Sequence, residues 1–168
     1  VASGVINPVT GKRLVRTWMI EQLLPFALDT YTALGEELRT QLVQQCDILD
    51  FHNTQDNCTA FSDKLVTEKD YLSVAKDEDW GSYFRFNYGI GKIAPCLLVD
   101  IRKMLSEWRK KLVTDNCLLE ENFNWDDFVT SKEQVIYKNV TAGKVIFCNG
   151  AGGINDRYFS NLPWSKDK

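Results

Sequence analysis

Apolar residues recur at steps of three and four positions in the segment that begins at Thr17. This spacing places them on one face of a helix, and polar residues such as Glu21, Asp29 and Glu36 take the other side. The pattern predicts a long helix, with Pro25 as a point where it bends or before which it has not yet begun. The apolar positions are Leu23, Ala27, Tyr31, Leu34, Leu38 and Leu42.

A second amphipathic helix is predicted directly after Asp100, because aspartate is a preferred N-cap residue. Cations at 109–111 lie near its C-terminal end, where they complement the helix dipole. Its apolar stripe consists of Ile101, Met104, Leu105, Trp108 and Leu112.

Short apolar and aromatic runs elsewhere predict strands at 46–54, 83–88, 117–123, 133–140 and 144–149. Aromatic and polar residues alternate in 83–88, and Gly89 and Gly91 after them predict a hairpin turn. Residues 60–76 are interpreted as a turn followed by a short helix. Strands interleaved with two main helices predict an α+β fold of α/β derivation, with a mixed or antiparallel sheet.

Composition limits the classes of function. A chain of 168 residues with 44% hydrophobic and 26% charged residues is typical of one globular domain. The net charge of −3 argues against a nucleic-acid partner, and no apolar run approaches the roughly 20 residues that cross a bilayer. Five widely spaced cysteines and a single histidine, His52, argue against a zinc site and a disulfide framework. We expect mostly buried thiols and a cytoplasmic location.

Two glycine-rich stretches invite a comparison with phosphate loops. GIGKIA at 89–94 matches G-x-G-x-x-A, but Pro95 and further residues intervene before any helix, so no helix N-terminus faces a pyrophosphate. We therefore interpret it as a turn. VIFCNGAGG at 145–153 runs from an apolar segment into glycines, which permit either a sharp turn or a close approach of the backbone to a ligand.

Both ends of the chain resemble FAD-dependent oxidoreductases of the D-amino-acid oxidase and glycine oxidase-like family. ASGVINPVTGKRLVRTW at 2–18 is similar to a loop close to the flavin, and EQLLPFALDTYTALGEEL at 21–38 to the helix that follows it. The segment 86–112 resembles the family's strand–turn–strand–helix. KVIFCNGAGG at 144–153 is similar to a strand that returns to the flavin, and residues 159–168 resemble the segment after it. Residues 46–80 carry nothing diagnostic.

The resemblance implies a central, substrate-side segment of such an enzyme, without the G-x-G-x-x-G unit and the C-terminal stretch of the family. Residues 1–16 would form a flavin-proximal loop, 17–140 a substrate-side α+β domain, and 141–168 a strand and Gly-rich turn that return to the flavin-binding domain. The missing N- and C-terminal parts of the same chain would be its partners.

The implied reaction is oxidation of the C–N bond of a small amine or amino acid, by hydride transfer to FAD. FAD is expected in the intact protein and not in the isolated 168 residues. No catalytic residue and no metal ligand is identified, and substrate contacts are assigned to Arg85 and Tyr88. The alternative is a non-catalytic α+β binding or interaction domain, in which the glycines only form turns. The residues expected near the cofactor are Ser3, Gly4, Val5, Ile6, Gly150 and Ala151.

Overall fold

In the computed structural model, the described residues are 4–11, 13–76, 80–150, 158–159 and 161. The chain forms two compact units, Val1–Leu118 and Leu119–Lys168. Among the described residues there are three α-helices and four small sheets, and the strand pairs are antiparallel. The predicted α+β class is confirmed.

Unit 1 contains the three helices and eight of the strands. The helices are α1 (Ile20–Glu37), α2 (Gln55–Leu65) and α3 (Ile101–Thr114), and a short 3-10 helix spans Trp80–Ser82. The strands are β1 (Val5–Ile6), β2 (Val9–Thr10), β3 (Val15–Arg16), β4 (Val43–Gln45), β5 (Ile48–Phe51), β6 (Leu72–Val74), β7 (Ile90–Ile93) and β8 (Leu97–Val99).

A long antiparallel ribbon forms the framework of unit 1. Strands β4 and β5 run along one side and β8 and β7 along the other, so that the pairing extends from Val43 opposite Val99 to Phe51 opposite Ile90. Strand β1 adds to β8 and β6 adds to β7, which gives the sheets β1–β8–β4 and β5–β7–β6. The ribbon therefore has two ends, and each lies beside a different loop.

Each sheet of the ribbon has its own apolar core. Under the first sheet, Val43, Leu97 and Val99 are buried against Leu24 and Tyr31 of α1. The core of the second sheet consists of Val9, Leu14, Phe61, Leu72, Ile93 and Cys96.

Helix α1 confirms the predicted long helix, and its buried face agrees in part with the predicted one. It begins at Ile20 and continues through Pro25, and its inner side carries Ile20, Leu24, Ala27, Tyr31 and Gly35. Leu23 is exposed and Leu42 lies beyond the helix. The predicted stripe was therefore correct at Ala27 and Tyr31 and wrong at its two ends, where Leu24 packs in the place expected for Leu23 and Leu42 lies outside the helix.

Helix α3 agrees with the prediction in its start and its cap. The Asp100 carboxylate accepts a hydrogen bond of 2.9 Å from the Lys103 backbone N–H. The side chain thus satisfies one of the backbone donors left free at the helix N-terminus.

The order of elements predicted for 60–76 was wrong. Helix α2 comes first, capped by Thr54, whose hydroxyl accepts from the Asn57 N–H at 3.3 Å. A turn and strand β6 follow it. Thr54 is a preferred N-cap residue, but it had been assigned to the end of the strand predicted at 46–54.

Unit 2 is a three-stranded meander of β9 (Phe128–Thr130), β10 (Val135–Tyr137) and β11 (Val140–Ala142). The strand predicted at 133–140 is broken by a turn in which Lys138 has a φ of 52°. Residues 117–123 and 144–149 are not strands, contrary to the prediction. Their large side chains are held by ring contacts instead, since Phe123 stacks on Tyr137 at 4.6 Å and Phe147 on Trp125 at 5.5 Å.

Candidate functional site

The segment expected to approach a flavin is built into the first sheet. The Val99 N–H donates to the Gly4 carbonyl at 2.8 Å. Gly4 has a φ of +77°, and a Cβ at this position would collide with the Val99 carbonyl oxygen. The chain's own packing therefore requires glycine here.

Val5 and Ile6 face opposite sides of this sheet. Ile6 lies opposite Leu97 and packs against the core under α1. Val5 lies opposite Leu98, so that both side chains are on the other face, where Val5 is 43% exposed. Of these two residues, Val5 is the one whose side chain a ligand can reach.

A cavity of about 620 Å³ lies where β4 and β8 meet the start of α3. This volume is within the range of small-molecule sites in proteins, roughly 300–1,000 Å³. The walls come from the approach to β4 and from the start of α3. The lining residues are Gln41, Leu42, Val43, Gln44, Leu98, Val99, Asp100, Ile101, Arg102 and Lys103.

The lining of the cavity combines apolar side chains with positive charge. Within the part of the chain that the structure describes, neither Arg102 nor Lys103 forms an ion pair. The Asp100 carboxylate is engaged in capping α3. The arrangement suits a ligand with an apolar part and an anionic group, because guanidinium and ammonium groups bind carboxylates and phosphates.

Arg85 and Tyr88 do not lie on a strand, and this part of the prediction was wrong. Residues 83–89 form an irregular loop, and β7 begins only at Ile90. The alternation of aromatic and polar residues arises because Phe84 and Phe86 both pack on Phe51, at ring distances of 4.5 and 5.4 Å.

The structure does not bring the predicted site residues of unit 1 into one small pocket. Val5 lies at the Leu98 end of the ribbon, and the loop with Arg85 and Tyr88 lies at the Phe51–Ile90 end. Most of β7, the bend at 94–96 and the start of β8 lie between these two ends. The two groups would have to contact different parts of a ligand or different ligands.

The structure describes only Gly150 of the three remaining residues that were predicted near the cofactor. Gly150, in unit 2, is exposed with a φ of 52° and has open space where a Cβ would lie. The strand expected to lead into it is absent from 144–149. Ser3 and Ala151 lie outside the described residues.

Other reactive side chains do not form a second site. No group of three or more His, Cys, Asp or Glu among the described residues is arranged to hold a metal ion. All five cysteines are free thiols, but only Cys96 is buried, so the expectation of mostly buried thiols was wrong. Burial raises the pKa of Cys96 to about 11, which keeps it protonated and unreactive. In the described part of the chain, no helix is both long and apolar enough for a membrane span.

Arg102 and Lys103 were not among the site residues predicted from the sequence. Their position at the start of the helix was a sequence signal for a functional role. Cations in the first turn of a helix interact unfavourably with the helix dipole, so the helix itself does not explain them. For Gln41, Gln44 and Leu98 there was no comparable signal, since only the strand pairing brings them together.

Comparisons with known proteins do not assign the chain to a family. No family model matches it, and no solved structure matches it.

Proposed function

We propose that this chain is the substrate-side part of a cytoplasmic FAD-dependent oxidoreductase that oxidises the C–N bond of an amine or amino acid. The proposal rests on the resemblance of both chain ends to the D-amino-acid oxidase and glycine oxidase-like family. In the longer enzyme, the N- and C-terminal parts of the same chain complete the flavin site.

The observation that best supports the proposal is the cavity beside the sheet β1–β8–β4, at the start of α3. One face of this sheet is closed by α1, and the cavity beside the sheet combines apolar side chains with Arg102 and Lys103. A flat, anionic dinucleotide fits that chemistry. The Gly4–Ile6 segment, which resembles the flavin-proximal loop, is the edge strand of the same sheet.

Residues of the chain take binding roles in this proposal. Val5 and Leu98 offer apolar surface to the cofactor, and Arg102 and Lys103 compensate its negative charge. Arg85 and Tyr88 bind the carboxylate of an amino-acid substrate through a guanidinium and a hydroxyl group. Ser3, Gly150 and Ala151 approach the cofactor with their backbone. When bound, FAD supplies the hydride acceptor.

A non-catalytic interaction domain is the second candidate, and one observation favours it. The first turns of α1 and the two residues before them expose large apolar side chains, namely Trp18, Met19, Leu23 and Phe26. Exposed apolar patches mark interaction surfaces. A protein partner bound to these side chains would explain their exposure, and no cofactor would be needed.

The visible absorption spectrum of the complete gene product tests the proposal, with the 168-residue chain measured beside it. We expect flavin bands in the complete product and none in the shorter chain. A colourless complete product that takes up no added FAD would contradict the proposal and favour the interaction domain.

Paired variants of the complete product test the cavity itself. Arg102→Gln together with Lys103→Gln should lower FAD retention about tenfold or more, because each lost charge-assisted contact contributes more than 1 kcal/mol. Lys110→Gln is the matched control, since Lys110 is on the same helix but pairs with Glu107 outside the cavity. Equal FAD retention in the two variants would exclude the cavity as a flavin contact.

A further inference from the structure

Helix α3 has one side that is exposed to solvent along its whole length. The exposed positions form two neighbouring rows, 102, 105, 109, 113 and 103, 106, 110, 114. The other positions of the helix are half-buried, and Ile101 among them packs against the core under the first sheet. Since side chains three and four positions apart lie on the same side of a helix, these eight positions form one continuous surface, the outer face of α3.

The outer face of α3 is basic. Four of its eight residues are cations, and none is acidic. The single acidic residue of the helix, Glu107, lies on the half-buried side and contacts Lys110 at 2.7 Å. The whole chain has a net charge of −3, so this surface has the opposite sign to the molecule that carries it. The four cations are Arg102, Lys103, Arg109 and Lys110.

Two aliphatic side chains project among these cations. Leu105 is 56% exposed and Val113 is 51% exposed. They are eight residues apart, which corresponds to about 12 Å along the helix axis. One pocket of a protein partner could not hold both, whereas a bilayer surface takes up side chains at any spacing.

The combination is typical of helices that lie on anionic membranes. Lys and Arg side chains are attracted to the negative surface potential of such membranes, and aliphatic side chains enter the boundary between head groups and acyl chains. A basic amphipathic helix therefore indicates a membrane surface as partner. The half-buried side keeps α3 attached to unit 1, since Lys111 on that side contacts Glu37 of α1 at 3.8 Å.

We propose that the outer face of α3 binds the surface of a membrane that contains anionic lipids. The cations contact lipid head groups, and Leu105 and Val113 enter the layer below them. The proposal is independent of the flavin proposal, because Leu105, Arg109, Lys110 and Val113 lie outside the cavity lining. Arg102 and Lys103 belong to both surfaces, so the test variants avoid them.

Sedimentation with lipid vesicles tests the proposal. The 168-residue chain and the complete gene product are each mixed with vesicles of phosphatidylcholine, and with vesicles of equimolar phosphatidylcholine and phosphatidylserine. We expect both proteins to sediment with the second kind of vesicle and to stay in solution with the first. The bound fraction should fall as salt is added, because salt screens the attraction between exposed charges.

Paired variants locate the contact. Arg109→Gln with Lys110→Gln should weaken binding about 25-fold, which corresponds to two cations at about 1 kcal/mol each. Arg13→Gln with Lys69→Gln is the matched control, since it removes the same charge from two exposed turn residues of unit 1 and should bind like the wild type.

A third pair separates lipid insertion from attraction of charge alone. Leu105→Gln with Val113→Gln leaves the charge unchanged and should weaken binding about fivefold or more, because it removes apolar surface from the contact. An unchanged urea midpoint shows that each variant is folded.

Selective sedimentation that depends on both α3 pairs would support the proposal, whether or not the complete product carries flavin. Equal sedimentation with the two kinds of vesicle, or none with either at low salt, would overturn it. An equal loss in the control pair would show that net charge and not this face is responsible. Binding to soluble polyglutamate that is as tight as binding to vesicles, and unaffected by Leu105→Gln with Val113→Gln, would assign the face to an acidic protein instead. Binding by the 168-residue chain but not by the complete product would show that the rest of the protein covers α3, and would overturn the proposal for the intact protein.

Discussion

Gly91 is the residue at which a single added carbon has the clearest consequence. It lies in the middle of β7, and the buried ring of Phe61 occupies the place where a Cβ would project. We expect Gly91→Ala to lower the free energy of unfolding by about 1–3 kcal/mol, as overpacking of a filled core does. Urea unfolding followed by circular dichroism measures the effect.

Two further variants define the cause. Phe61→Leu shortens the side chain over β7, so adding Gly91→Ala to it should cost less than adding it to the wild type. Gly81→Ala, in a position with open space around its Cβ, should change stability by less than about 0.5 kcal/mol. Equal costs of Gly91→Ala in both backgrounds would contradict the steric explanation.

His52 is a buried polar side chain whose hydrogen-bonding capacity is not used. It is 4% exposed, its ring packs on Phe61 at 5.0 Å, and neither ring nitrogen has a hydrogen-bond partner among the described residues. The closest Asp50 oxygen is 3.7 Å from Nε2. Since an unsatisfied buried polar group costs free energy, His52→Leu should raise stability by about 1 kcal/mol and Tm by about 2–4 °C. Calorimetry at pH 8 measures this.

His52→Gln is the control for that experiment, because it removes the imidazole but keeps buried polar atoms. It should not raise Tm. If His52→Leu and His52→Gln lower Tm by the same amount, the imidazole ring makes favourable contacts that outweigh the cost of its unpaired nitrogens.

At the scale of elements, an ion-pair network joins three pieces of unit 1. Arg16 of β3 contacts Glu21 of α1 at 2.9 Å and Glu68 of the turn after α2 at 2.8 Å. The Tyr71 hydroxyl also donates to Glu21, at 3.2 Å. The pKa of Glu21 is lowered by its own backbone N–H first, and then by Tyr71 and Arg16.

The lowered pKa of Glu21 determines how its contribution to stability changes with pH. A carboxyl whose pKa is lower in the folded chain stabilises it above the ordinary value of 4.5, and the contribution is lost as pH falls through the folded pKa. The difference in urea midpoint between wild type and Glu21→Gln should therefore shrink as the pH is lowered from 6 towards ~3. Glu36→Gln, on the same helix and without an ion pair among the described residues, is the control. A difference that stays constant would show that Glu21 contributes through packing and not through its charge.

The helices and strands differ in how far the sequence alone could predict them. Helix α3 was predictable in type and start, because its stripe and the Asp100 cap are local features. The strand predicted at 83–88 is absent. Phe84 and Phe86 both pack on Phe51, and their spacing in the sequence is the same as the alternation of apolar and polar residues in a strand. The cavity was not predictable, since the β4–β8 register brings together positions more than fifty residues apart. Whether the flavin resemblance is correct stays a prediction.

For the whole molecule, the division at Leu118 separates two different kinds of core. Unit 1 contains the three helices and both aliphatic clusters, under α1 and around Phe61. The described part of unit 2 is held by rings, with Phe123, Trp125, Phe128 and Phe147 in mutual contact. Because each core is formed within its own unit, the stability of unit 1 should not depend on unit 2.

A chain that ends at Leu118 tests this independence. We expect it to unfold cooperatively in urea and to keep the helical signal of α1, α2 and α3, since all three lie before the division. Gly91→Ala should destabilise the chain that ends at Leu118 and the 168-residue chain by the same amount, within about 0.5 kcal/mol. A shortened chain that loses its cooperative transition would show that residues after Leu118 complete the core of unit 1. The compact units would then not be units of folding, and the cavity on the sheet β1–β8–β4 would depend on both.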